Sequence, residues 1–176
     1  MEEIDMKVTK KILATVLALT MIVGLTGCGK KKVTDKKGFK EAIKSEDYDT
    51  DRIYESDGDD KHQKKRYSFS EDGIYASLII FKDKGSAEDY FDDYYDDLKE
   101  LKDDDDFEGT IKKSGTFFPW STPTIKIDGE YTSKKNKGEI YAYIFLNGDT
   151  IVMVGADDNG KTAVKDVKAL VKALGY

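Results

Sequence analysis

Two turn signals, Asp72-Gly73 and Asn147-Gly148, each lie between runs of apolar residues, and each run-turn-run leads into an amphipathic helix pattern. A two-residue turn that needs φ > 0 joins adjacent antiparallel strands, so each signal predicts a hairpin. In the first half, Arg66–Glu71 and Ile74–Lys82 flank the turn. Lys82-Asp83-Lys84-Gly85-Ser86 then breaks the strand, and Ser86 is the expected cap of a helix to about Leu101. Phe91, Tyr94, Tyr95, Leu98 and Leu101 fall at helical spacing on its inner face. In the second half, Glu139–Leu146 and Thr150–Val154 flank the turn. Gly160 precedes a helix to about Leu174, with Val164, Val167, Val171 and Leu174 inward. An offset of 75 residues places Gly73 on Gly148 and Gly85 on Gly160, with a one-residue shift needed for the helices.

Further segments complete the pattern. Asp35–Ser45 reads as a helix with Phe39, Ala42 and Ile43 on one face and Thr34 or Asp35 as its cap. Arg52–Ser56, Phe107–Lys113 and Thr124–Thr132 read as strands. The expected fold is α+β: an antiparallel sheet of about six or seven strands, with about three helices on one face. That is a two-layer domain with a pseudo-duplicated hairpin–helix unit.

Composition narrows the function classes. The 176 residues hold 29 Lys plus Arg against 35 Asp plus Glu, a net charge of −6, which argues against a nucleic-acid binder. One cysteine and one histidine argue against a disulfide framework, a cysteine-based zinc site and most catalytic triads. Only Arg52 and Arg66 could clamp an anion bidentately. No cofactor is expected.

The N-terminus carries the most specific motif. Lys7, Lys10 and Lys11 precede the apolar run Ile12–Leu25, whose 14 residues fall short of the about 20 that span a bilayer. The run ends in Leu25-Thr26-Gly27-Cys28. This resembles the lipobox of bacterial lipoproteins, in which a leucine and two small residues precede the cysteine to be modified. The resemblance implies cleavage before Cys28 and diacylglycerol on its thiol. It divides the chain into a signal peptide (1–27), a lipidated basic tether (28–34) and a single extracytoplasmic domain (35–176). It also implies a partner, the membrane, reached through Cys28. Glu2, Glu3 and Asp5 are foreign to a signal's basic region, so Met6 is an alternative start. Lys30, Lys31, Lys32, Lys36 and Lys37 follow the anchor. Each would add about 1 kcal/mol near an anionic leaflet, or simply solvate the tether. The preference for Lys over Arg suggests an AT-rich genome. The mature sequence loosely resembles small lipoproteins of Gram-positive anaerobes.

Several features invite chemistry. Gly155-Ala156-Asp157-Asp158-Asn159-Gly160-Lys161-Thr162 matches the formal phosphate-loop pattern. Asp157 and Asp158 would place negative charge in the cradle, so a helix-capping turn that binds no nucleotide is expected. His62 sits in a polar stretch and reads as a solvated loop residue. Glu88–Glu108 holds twelve acids against two lysines. This makes Asp103, Asp104, Asp105 and Asp106 weak candidates for a cation, against the reading of a solvated run. Phe117, Phe118 and Trp120 share a proline-containing loop that either closes over the core or contacts a partner. Tyr141 and Tyr143 alternate with Ile140, Ala142 and Ile144, giving one aromatic and one apolar face. Phe117, Phe118, Trp120, Tyr141 and Tyr143 are thus the candidate contact surface, for an envelope protein or glycan. The expected function is a non-catalytic, lipid-anchored binding module. The alternative is an enzyme, or enzyme accessory, acting on envelope polymers through two carboxylates about 5–10 Å apart beside aromatic rings. A last expectation is that the acidic helix and the lysines of the final helix (Lys161, Lys165, Lys168, Lys172) lie side by side.

Overall fold

Among the described residues of the computed structural model, seven strands form one antiparallel sheet and three α-helices pack on it. The structure describes residues 31–58, 62–103, 107–115, 121–132 and 137–176. Cys28, Asp104–Asp106, Phe117, Phe118 and Trp120 lie outside these.

The strands are β1 (Ile53–Asp57), β2 (Gln63–Glu71), β3 (Ile74–Phe81), β4 (Phe107–Ser114), β5 (Thr124–Thr132), β6 (Lys137–Asn147) and β7 (Thr150–Ala156). The helices are α1 (Lys36–Ser45), α2 (Lys84–Asp103) and α3 (Lys161–Ala173). The sheet order is β1-β2-β3-β7-β6-β5-β4, and every neighbouring pair is antiparallel. The α+β class, the strands and the three helices are therefore as the periodicity predicts.

The layering is not. Successive strand residues point to opposite faces. Ala76, Leu78, Val152 and Val154 face α1 and α3, meeting Phe39, Ile43, Val167 and Leu170. Ile79, Phe81, Ile144 and Ile151 point the other way, under Ala87, Phe91 and Leu98 of α2. The sheet is thus covered on both faces, in three layers rather than two. The cause is legible in β3 (IYASLIIF) and β7 (TIVMVGA), which are apolar on both sides as strands covered twice must be.

The pseudo-duplication also changes meaning. Asp72 and Gly73 have φ of 50° and 78°, the expected two-positive turn. In the second hairpin β6 runs through Asn147, which pairs with Thr150, and the turn is Gly148-Asp149. Gly148 takes φ of 64° at the first turn position, the arrangement of a type II′ turn. The turns therefore correspond at an offset of 76, which also aligns Phe91 with Val167 and Leu98 with Leu174. Yet β3 has eight residues and β7 seven, so their last side chains point to opposite faces. Each strand hands its helix to the face of that last residue. The two hairpin–helix units are consequently of opposite hand, and no rotation superposes them.

Local details follow from capping chemistry. Asp35 caps α1 by accepting the Gly38 N–H at 2.8 Å. At α2 the cap is Asp83 rather than Ser86: its carboxylate accepts the Ser86 N–H at 2.8 Å, and this holds it below the usual carboxylate range. Leu101, expected inward, is exposed, whereas Ala87, Phe91 and Leu98 are buried. In α3 the inner face is Val167, Leu170 and Ala173, with Val164 and Val171 half-buried.

The core begins before residue 35. Val33 is buried, its N–H donates to Leu174 O at 3.1 Å, and Tyr176 Oη donates to its carbonyl at 3.3 Å. Lys32 Nζ donates to Thr122 Oγ1 and lies over the Tyr176 ring. The expected free tether is therefore fastened to the domain at Lys32 and Val33.

Candidate functional site

Residues two apart on a strand share a face, so Tyr141, Tyr143 and Phe145 of β6 form one row. The Tyr141 and Tyr143 hydroxyls meet at 2.8 Å and their rings are edge-to-face at 5.5 Å. Tyr143 stacks on Phe145 at 5.8 Å, and Phe145 on Tyr176 at 4.4 Å. Lysines approach Tyr141 from two elements: Lys126 of β5 at 4.9 Å and Lys168 of α3 at 6.0 Å from the ring centre. Lys126 also pairs with Asp128 at 3.0 Å.

The row lies where the helical layer ends. Toward β7 the face is closed by α3. Toward β5 and β4 it carries Lys126, Asp128, Thr110 and Lys112, all at least partly accessible. Tyr141 is only 2% exposed, so it is a core residue and not the free contact expected for it. Tyr143 is half-buried at the margin of the helical layer and is the aromatic that reaches outward. The opposite, apolar face of β6 is likewise covered, by α2.

Burial governs the phenols. It pushes Tyr141 up, aided by the hydrogen bond with Tyr143, and it pushes Tyr75 up. Tyr176 is pushed up to about 12 by burial. A phenol raised above its unfolded value of about 10 stabilises the fold fully below that pH, and the contribution is lost as pH rises toward the folded value. Chemical denaturation should therefore show stability falling from about pH 10 to pH 12. Tyr176→Phe should flatten part of that fall; an unchanged pH profile would contradict the assignment.

A second place is a cleft of about 260 Å³ lined by His62, Phe81, Ser86, Asp89, Tyr90 and Asp93. The Gln63–Phe81 pairing brings His62 next to the start of α2. Ser86 Oγ lies 3.3 Å from His62 Nδ1 and 3.0 Å from Asp83 Oδ1. His62 is exposed, as expected, but it does have a hydroxyl neighbour and aromatic walls, which its polar sequence surroundings did not suggest. The β2–β3 register, counted back from Asp72-Gly73, is the signal that could have paired the two. The arrangement is not a triad, because Ser86 bridges Asp83 and His62, whereas in a triad the imidazole stands between the other two.

The phosphate-loop pattern is a strand end and a helix start. Gly155 lies inside β7, where a Cβ would come within 2.3 Å of Tyr75 Oη. Three of the loop's N–H groups are engaged: Asp157 with Gly73 O at 3.1 Å, Asn159 with Glu139 at 3.2 Å and Gly160 with Asp158 at 2.7 Å. Asp103 ends α2, while Asp104, Asp105 and Asp106 fall outside the described residues, as do Cys28, Phe117, Phe118 and Trp120. Among the described residues, no group of three or more His, Cys, Asp or Glu side chains is arranged to hold a metal. No described helix is long and apolar enough to cross a membrane.

The acidic and basic helices are not neighbours. Because α2 and α3 occupy opposite faces of the sheet, the lysines of α3 cannot meet the acids of α2. Its neighbour on the same face is α1. The acids of α2 pair instead within the helix or with β4, as in Lys99–Asp96 at 2.8 Å and Lys113–Asp92 at 2.6 Å.

No family model matches the sequence, and no curated protein does. Among solved structures, a Pseudomonas aeruginosa protein of unknown function aligns with 70% of this chain and 78% of its own, at 8% identity and a TM-score of 0.36. A likeness that weak carries no argument.

Proposed function

We propose that the chain is a lipoprotein anchored through Cys28 on the extracytoplasmic face of the cell membrane, and that its domain is a non-catalytic binding module. The anchor rests on Leu25-Thr26-Gly27-Cys28 and the signal-like segment before it. The binding role is supported by the margin at Tyr143. There the half-buried Tyr143, whose hydroxyl meets that of Tyr141 and which pairs across the strands with Lys126, borders a polar sheet face with no described helix over it. An aromatic with adjacent hydrogen-bonding side chains suits an envelope protein or glycan. Pull-down from intact cells tests it. Tyr143→Ala should weaken capture of the partner about tenfold, the equivalent of roughly 1.4 kcal/mol. Capture unchanged in that variant, at equal folding, would remove the surface from the account.

The cleft at His62 favours a second reading, an enzyme of envelope polymers. Asp89 and Asp93 lie one helical turn apart beside Tyr90 and Phe81, so their Cβ atoms are about 5–6 Å apart. Both, however, are exposed on the helix surface. Polymer fragments released by the wild type and not by Asp93→Asn would establish this reading instead.

A further inference from the structure

The sheet separates helices of opposite charge. On one face, α1 and α3 together carry eight lysines against two acids, Glu41 and Asp166, a net +6. On the other, α2 carries eight acids against three lysines, a net −5. The lysines of α1 and α3 are all exposed, because Phe39, Ala42, Ile43, Val167, Leu170 and Ala173 take the inner faces. Only Lys36 and Lys37 of the eight have an ion pair among the described residues, with Glu55 and Glu41.

The route of the chain singles out the same face. The segment arriving from Cys28 is fastened at Val33, which packs with α1 and α3 and hydrogen-bonds to Leu174 at the end of α3. Val33 is five residues on from Cys28, a reach of no more than about 18 Å. Lys30, Lys31 and Lys32 add three more cations to the connection.

We propose that the α1–α3 face lies against the anionic lipid surface and that acidic α2 faces away from it. This rests on the anchor reading of Cys28. Charges within about 8 Å of the headgroups interact with little screening at physiological salt, and those farther away are progressively screened. Two helices of net +6 toward the lipid, with the opposite helix at net −5, give one orientation lower in energy than its inverse.

Depth measurement tests this on the full mature lipoprotein. Acylation of the chain's only cysteine would leave an introduced cysteine as the sole thiol. Lys40→Cys on α1 and Asp96→Cys on α2 would each carry a fluorophore, in phosphatidylcholine vesicles with and without phosphatidylglycerol and with headgroup-quencher lipid. The expected result is quenching at position 40 several-fold greater than at position 96, only with phosphatidylglycerol, and reduced by high salt. Replacing Lys161, Lys165, Lys168 and Lys172 by Gln should narrow the difference. Equal quenching at the two positions on anchored protein would overturn the orientation and leave the anchor reading intact. Absence of acyl label on the wild type would overturn the anchor reading itself. A position-40 label shielded equally in both vesicle types, with growing particle size as protein is added, would show the basic face meeting the acidic face of a second copy, and would also overturn the proposal.

Discussion

Phe39→Ala should cost about 3–5 kcal/mol, a large part of the about 5–15 kcal/mol that holds an ordinary domain folded. Phe39 is 0% exposed and sits where α1 meets α3 and the sheet. Truncation removes its transfer energy and leaves a cavity that the helix on one side and the strands on the other cannot easily close. Leu101→Ala supplies the control. The repeat pattern places Leu101 inside, but it is 48% exposed, so its loss should change stability by no more than about 0.5 kcal/mol. Urea melts of both variants measure this. A mild Phe39→Ala would mean that α1 is not part of the core. A severe Leu101→Ala would restore the inward face that the helical spacing predicts.

Cys28→Ala should abolish both acylation and cleavage of the chain. Only a thiol can take diacylglycerol, and cleavage of lipoprotein precursors depends on that modification. Without it, the apolar run Ile12–Leu25 stays on the chain, the precursor keeps its full length and no acyl label is incorporated. Attachment through acyl chains is what the variant removes, since two chains anchor stably where one is marginal. Labelling with palmitate and sizing by gel reads both effects. Label on the Cys28→Ala chain would place the lipid elsewhere, or nowhere specific.

Element type was legible because its signals are local. Asp72-Gly73 fixed a turn through its need for φ > 0, Asp35 through its capping carboxylate, and Thr124–Thr132 through alternation, with bounds that match β5. The layering was legible in principle: β3 and β7 are apolar on both faces, and a strand solvated on one side cannot be. A repeat of 75 residues obscures this. The repeat aligned two glycines that occupy different turn positions, and a one-residue slip exchanges the faces of a strand. The charge segregation was out of reach for a related reason. The acidic run and the lysine row were both visible, but whether they meet depends on the side to which each strand hands its helix. At the candidate site, alternation puts Tyr141 and Tyr143 on one face, but the row alone does not say how far α3 extends over it, and Tyr141 is buried while Tyr143 is half-buried. Ser86 and His62 are 24 residues apart in sequence, and only the hairpin register joins them.

The mass of the N-terminal peptide of the protein taken from its own membranes tests the central claim most directly. The account predicts a peptide beginning at Cys28, with diacylglycerol on the sulfur and Gly29-Lys30-Lys31 following. A peptide that runs through Leu25-Thr26-Gly27-Cys28 with a free thiol would contradict it.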